Sequence, residues 1–234
     1  MQLFYFKDIN EYSTSFSFDK EESKHIVKVL RKNTGDILFV TNGLGVLFKT
    51  EITIASDSKC TVTVLSFEKQ EQSGYFLHLA VAPTKMNDRY EWFLEKATEI
   101  GIQEITPIFC DHSERKVIKT ERFDKILLSA MKQSNQYYLP ILNEPIPFKE
   151  FVKKQFNGQK FIAHCEETDK KTLKSALKAN EDCTILIGPE GDFSVKEIEI
   201  ALENQFIPIS LGNTRLRTET AALVACHTVV LMNE

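Results

Sequence analysis

The rhythm of apolar and polar positions changes once along the chain, near residue 75. Before that point, DILFVTN (36–42), GVLFKTEITIA (45–55) and KCTVTVLSFE (59–68) are rich in Val, Ile, Thr and Phe and are parted by turn residues, which predicts strands. Asn42-Gly43, followed by Gly45, predicts a hairpin, because these residues tolerate the positive φ of tight turns. A second turn is expected near Ser56-Asp57-Ser58, and LFYF near the start adds a further strand. The polar stretch EKQEQSG (68–74) reads as a linker, which places a small β-domain at 1–72 and a second domain at 73–234.

Beyond it, strands and helices alternate. FLHLAVAP is a strand, and NDRYEWFLEKATEIG a helix with Tyr90, Phe93, Leu94, Ala97 and Ile100 on one face and Gly101 as its stop. ITPIFC, KFIAHC, TILIG and FIPISLG are strands. Helices are expected around Phe123–Met131, FKEFVKKQF, LKSALKA, VKEIEIALEN and TAALVACHTVVLM. Such alternation predicts a parallel sheet covered on both faces. Between Ala221 and Met232 only His227 and Thr228 are polar, so the last helix lacks a solvated face and invites a subunit interface.

Composition narrows the picture further. With 234 residues and a net charge of −4, the chain is too acidic to coat nucleic acid generally, yet it can carry local basic patches. No run is long enough to span a bilayer, and MQLFYFKDINEY shows neither a basic leader nor a cleavage site. The five cysteines are widely spaced, with no CxxC or HExxH, so no metal is expected; free thiols point to a cytosolic protein.

Chemistry concentrates at the C-terminal end. TILIGPEGDFSVKEIEIA predicts a strand, a tight loop and a helix opening behind Ser194, with Glu197 completing a capping box. Ligands in open α/β sheets bind outside the carboxyl ends of strands, so Gly188 and Gly191 serve either a close backbone approach to a ligand or turn geometry alone. The loop is not a phosphate cradle, having neither GxGxxG nor GK[ST]. The next strand also ends in a glycine loop, Ser210-Leu211-Gly212, leading into NTRLRTET (213–220); if the two strands are neighbours, their loops line one crevice. Arg217 opposes a helix dipole there and so favours a role beyond capping, whereas Thr218 and Glu219 suit a plain helix start.

In the first half, Lys24, Lys28, Arg31 and Lys32 fall at one-face helical spacing, opposite Ile26, Val27, Val29 and Leu30. The stripe is either a phosphate footprint or a solvated face. His25 lies beside it, and Arg115, Lys119 and Arg122 repeat the spacing weakly. No GxSxG elbow and no isolated carboxylate pair stands out, and His78, His112 and His164 remain unassigned.

These segments together resemble a known family. IGPEGDFS (187–194), LG (211–212) and LRTETAAL (216–223) are similar to the tail of RsmE-like methyltransferases of the SPOUT class, which methylate ring nitrogen three of a uridine in small-subunit ribosomal RNA. HIVKVLR (25–31), KMNDRYEWFLEKATEIGI (85–102) and SER (113–115) match in the same order. The resemblance implies an α/β fold with a C-terminal parallel-sheet SPOUT domain containing a trefoil knot, and a small N-terminal PUA-like β-barrel that grips RNA. It also implies a homodimer and S-adenosylmethionine bound by Leu186, Ile187, Gly188, Pro189, Glu190 and Gly191, by Ile209, Leu211 and Gly212, and by Leu216, Arg217, Thr218 and Thr220. Arg217 is the expected stabiliser of charge on the uracil, and Glu190 or Glu219 the expected base. Contact with 16S ribosomal RNA falls to Lys24, His25, Lys28, Arg31, Lys85, Arg89 and Arg115, with salt-sensitive binding and a preference for assembled subunits.

The sequence departs from the family at four places. Asp192 stands where a second glycine is usual, Arg215 where an apolar residue is usual, and Lys132 and Gln136 replace an acid and an arginine. A SPOUT enzyme acting on another rRNA or tRNA nucleotide, and an RNA-binding assembly factor without catalysis, are the competing readings.

Overall fold

A computed structural model of the protein describes residues 1–166 and 169–234. Two compact units result, Met1–Gln72 with Met131–Leu139, and Ser73–Ala130 with Pro140–Glu234.

The first unit contains β1 (Leu3–Tyr5), β2 (Ser15–Ser17), α1 (Lys20–Lys24), β3 (Ile37–Thr41), β4 (Val46–Ile54) and β5 (Thr61–Lys69). They form one sheet in the order β1-β3-β4-β5-β2. β2 escaped the sequence reading because three residues are too short to show a period. Although β1 and β2 lie at opposite edges, Phe6 beyond β1 stacks on Phe16 of β2 at 4.3 Å, so the sheet curls around Phe4, Phe18, Ile26 and Phe48. The hairpin at Asn42 is as expected: Gly43 and Gly45 have φ of 74° and 85°, and Asn42 Oδ1 accepts from Leu44 N.

The basic stripe is not one helical face. α1 passes at His25 into a π-helical turn, His25–Val29, in which Leu30 N donates to His25 O. Arg31 then takes a left-handed φ of 55°. Beyond residue 24 the 3.6-residue spacing therefore fails, and Val29, expected on the buried side, is 66% exposed.

The second unit contains β6 (Leu77–Val81), α2 (Asn87–Ile100), β7 (Glu104–Phe109), most of α3 (Thr120–Gln133), β8 (Ile141–Leu142), β9 (Ile146–Pro147), α4 (Phe148–Phe151), β10 (Gln159–Ala163), β11 (Lys171–Thr172), α5 (Leu173–Ala176), β12 (Cys183–Ile187), α6 (Val195–Glu203), β13 (Ile207–Ser210) and α7 (Thr218–Asn233). The sheet is parallel throughout, ordered β11-β13-β10-β12-β6-β7-β8, with β9 also pairing β7. β6 and β12 are buried along their whole length, as continuous apolar runs in a doubly covered sheet should be. α2, α5 and α7 pack together around β6, β12 and β13, while α4 and α6 pack on each other with Phe148, Phe151, Ile198 and Ala201 in a common core. α2 ends at Gly101, whose φ of 107° suits only glycine comfortably. α4 and α5 span four residues each, far less than the helices expected around them. No helix among the described residues is long and apolar enough to cross a membrane.

At the amino ends of β6 and β7 the core turns polar. His78 Nε2 bonds Thr106 Oγ1 at 2.7 Å, and Asn143 Nδ2 donates to Glu104 Oε1 and to Thr106 Oγ1 at 2.6 and 2.8 Å. These groups border a concavity of about 810 Å³ and hydrogen-bond one another, as buried polar groups require. Burial holds the His78 pKa down at about 4, despite Glu104 Oε2 lying 3.5 Å from Nδ1. The unfolded chain takes up this proton near pH 6.5 and the folded one only near 4, so stability is full above 6.5 and falls as pH drops through that window. Urea unfolding should show a loss of about 2 kcal/mol between pH 7.5 and pH 5 that His78→Gln largely removes; an equal loss in both proteins would assign the pH dependence elsewhere.

Candidate active site

The carboxyl ends of β10, β12 and β13 open onto two adjoining cavities of about 290 and 380 Å³, a size suited to small-molecule ligands. Both are bordered by Ala163, Cys165, Arg215, Leu216 and Ala221. β12 and β13 are not neighbours; β10 lies between them, hydrogen-bonded to each. The crevice exists because three parallel strands end at the same level, and its middle wall is the segment after β10, which the sequence did not single out.

The loop after β12 is held from several sides. Thr218 Oγ1, in the first turn of α7, donates to Gly188 O at 3.0 Å. Asp192 takes a left-handed φ of 63°, a conformation open to Asp as well as to Gly, which accounts for the departure from glycine there. Its carboxylate accepts from Phe193 N at 2.8 Å and from Cys165 N at 2.7 Å, so it ties the β12 loop to the β10 loop. The capping box forms as expected, Ser194 Oγ accepting from Glu197 N and Glu197 Oε2 from Ser194 N. Glu197 is only 1% exposed, and its other oxygen accepts from Asp111 N at 2.9 Å. The two glycines answer to packing. A Cβ on Gly188 would sit 3.1 Å from the buried Phe193 ring, and one on Gly191 would sit 3.0 Å from His112 Cβ. Neither glycine has a positive φ, so it is this crowding, and not an unusual turn conformation, that the folded chain shows at Gly188 and Gly191.

His112 donates from Nδ1 to the carbonyls of Gly191 and Asp192 at 3.0 and 3.1 Å, which fixes the far side of the loop. Beside it the charged groups interlock. Lys85 N donates to Glu190 Oε1 at 2.9 Å, Arg115 Nη2 donates to Lys85 O at 2.8 Å, and Lys85 Nζ pairs with Glu114 at 2.7 Å. Glu219 is 7% exposed and faces Arg89 Nε at 3.9 Å. Glu190 Oε2 and Glu219 Oε2 are buried without a hydrogen-bond partner.

The expected residues therefore divide. Ile187, Gly188, Pro189, Glu190, Leu216, Arg217 and Thr218 border the first cavity, and Ile209, Leu211, Gly212 and Leu216 the second. Leu186 points into the core with Phe148 and Ile198, Gly191 backs onto His112, and Thr220 and Glu219 border neither cavity. The cavities also take in His164, Lys170, Asn213 and Thr214. Burial, with Lys170 acting the same way, lowers the His164 pKa, so the imidazole is neutral near pH 7. Its signal in the sequence was the strand end KFIAHC, legible only once the strand order is known. In the first unit, Lys24 and Arg31 are exposed, Lys28 pairs with Asp57 at 3.5 Å, His25 lies 3.8 Å from Glu22, and Lys132 reaches the same Glu22 at 3.3 Å.

Comparison with known proteins agrees with this layout. A family model described as an RNA methyltransferase domain matches residues 71–230, and one described as an RNA methyltransferase PUA domain matches residues 18–65. The ribosomal RNA small subunit methyltransferase E of Buchnera aphidicola subsp. Acyrthosiphon pisum is 34% identical over 93% of this chain and 87% of its own length. The protein of the same name from Bacillus subtilis is 27% identical over 96% and 93%. Among solved structures, a probable rRNA-methyltransferase from Porphyromonas gingivalis superimposes with a TM-score of 0.92 at 40% identity, covering 100% of this chain and 98% of its own. A Legionella pneumophila protein named as a methyltransferase, solved in complex with the bound cofactor SAM, superimposes with a TM-score of 0.88 at 28% identity over 99% and 97%. With a family model covering most of its length and a curved five-stranded sheet preceding a parallel one, this chain belongs to the ribosomal RNA small subunit methyltransferase E family.

Proposed function

We propose that this chain transfers a methyl group from S-adenosylmethionine to ring nitrogen three of a uridine in 16S ribosomal RNA, acting in the cytoplasm as a homodimer. The observation that carries the reading is the crevice bounded by the loops after β10, β12 and β13, with Glu190 and Arg217 on its border. The residues present fit the cofactor. Backbone at Gly188–Pro189, Leu211–Gly212 and Leu216 offers donors and acceptors around cavities of small-molecule size, and Glu190 keeps one buried oxygen unpartnered. When bound, the cofactor supplies a methyl group already activated on a positively charged sulfur, so the work left to the chain is alignment and removal of the N3 proton.

Glu190 is the proposed proton acceptor, since its Oε1 is occupied by Lys85 N while Oε2 is not. Arg217, exposed at the N-cap of α7, balances the negative charge that grows on the uracil oxygens. Glu219 faces Arg89 behind the first turn of α7, which suits holding that arginine better than reaching the substrate. The β-domain at 1–72 is assigned to RNA grip, with the exposed Lys24, Lys28 and Arg31 as phosphate contacts. A trefoil knot in the 73–234 domain is supported by the late insertion of β12 between β10 and β6 and by the bond from Thr218 back to Gly188. Dimerisation is supported by α7, where Leu231 is 58% exposed and Leu223, Val224, Val230 and Met232 are incompletely covered by their own chain.

Assembled small subunits from cells lacking this gene, incubated with labelled cofactor, should gain one methyl at N3 of a single uridine, read by mass spectrometry of the digested RNA; a methyl at another base or in tRNA would overturn the site assignment. Arg217→Ala should slow transfer about 100-fold while calorimetry shows cofactor affinity within a few-fold of the parent, and undiminished turnover would remove Arg217 from the mechanism. In sedimentation the parent should run as a dimer and Leu231→Glu as a monomer with unchanged circular dichroism, whereas a parent that is monomeric at micromolar concentration ends the dimer proposal.

A further inference from the structure

Lys85 and Arg115 were both expected to touch RNA, and their contacts argue for a different task. The Lys85 residue is gripped at three points: its ammonium by Glu114 at 2.7 Å, its carbonyl by Arg115 Nη2 at 2.8 Å, and its N–H by Glu190 Oε1 at 2.9 Å. Arg115 Nε is buried without a hydrogen-bond partner and Nη2 is taken by the Lys85 carbonyl, so part of this guanidinium is engaged within the chain. The segment that carries Arg115 is itself anchored. Ser113 Oγ accepts from Cys110 N at 2.9 Å, Ser113 N donates to Cys110 O at 3.0 Å, and His112 clamps the Gly191 and Asp192 carbonyls. A short chain of bonds thus runs from a fixed turn, through one arginine and the two peptide units that meet at Lys85 Cα, to the carboxylate at the crevice.

We infer that Arg115 is a positioning residue for Glu190, acting through the backbone on both sides of Lys85 Cα; the inference rests on the reading of Glu190 as proton acceptor. The Arg115 bond holds the Lys85 carbonyl and so orients the Lys85 N–H on the opposite side of that residue. That N–H occupies Glu190 Oε1 and leaves Oε2, buried and without a hydrogen-bond partner, as the oxygen free to take the proton. Misplacement of a reacting group by about 1 Å costs about 100-fold in rate, so a residue with no contact to substrate can govern turnover.

The test uses the full-length enzyme on assembled small subunits, with amide hydrogen exchange of Lys85 as a readout independent of turnover. Arg115→Ala should lower kcat about 100-fold with KM for the subunit within about threefold, and Lys85 amide protection should fall about tenfold. Arg115→Lys, which keeps one donor for the Lys85 carbonyl, should recover most of both and also controls for misfolding. Arg115→Ala placed on Glu190→Gln should add little to the loss from Glu190→Gln alone, because the two residues act as one chain. A raised KM with unchanged kcat would make Arg115 an RNA contact and overturn the inference, as would losses that multiply in the double variant. Unchanged Lys85 protection in Arg115→Ala would break the relay itself. Weakened protection with undiminished turnover would instead remove Glu190 as proton acceptor, and the catalytic consequence with it.

Discussion

The placing of β12 between β10 and β6 is the constraint on which the rest of the second unit depends. Five consecutive registered pairs on each side bury every residue of the strand, so Cys183–Ile187 cannot shift without dismantling the centre of the sheet. Because its neighbours run parallel to it, the loops after β10 and β12 leave the sheet on the same edge. β13, paired to the other side of β10, adds a third. A crevice at that edge follows from strand order alone, before any side chain is considered.

Side chains then stiffen the loops around that crevice, and most do so by holding backbone. Asp192 bonds the start of the β10 loop, Thr218 the Gly188 carbonyl, His112 the Gly191 and Asp192 carbonyls, and Glu197 both Ser194 and Asp111. Glu197 among them is charged and buried, conditions under which a hydrogen bond is strong and a missing partner costly. A site built from preorganised backbone suits a reaction whose methyl donor arrives activated, since little remains to be supplied beyond alignment and one proton acceptor. Membership of the ribosomal RNA small subunit methyltransferase E family gives that geometry its chemical context.

Several basic residues near the crevice are likewise paired within the chain. Lys85, Arg89 and Arg115 meet Glu114, Glu219 and the Lys85 carbonyl, so their charge is partly spent on internal order. In the first unit, Lys28 and His25 also lie beside acids, while Lys24 and Arg31 remain exposed.

Elements with long, regular periods were legible from the amino-acid order: the hairpin at Asn42, α2 with its glycine stop, the capping box of α6 and the continuous runs of β6 and β12. Each depends on contacts within a few residues, which local sequence encodes directly. The motifs at 187–194 and 216–223 also singled out segments that border the two cavities. Three things were decided only by the folded chain. A π-turn broke the spacing of the basic stripe, because an extra residue per turn leaves no mark in composition. Gly188 and Gly191 proved to make room for Phe193 and His112, neighbours that no local pattern could identify. And β10 came to lie between β12 and β13, bringing His164 and Cys165 to the crevice. Strand order is set by which apolar faces bury best across the whole sheet, a property of long-range packing that no segment carries by itself.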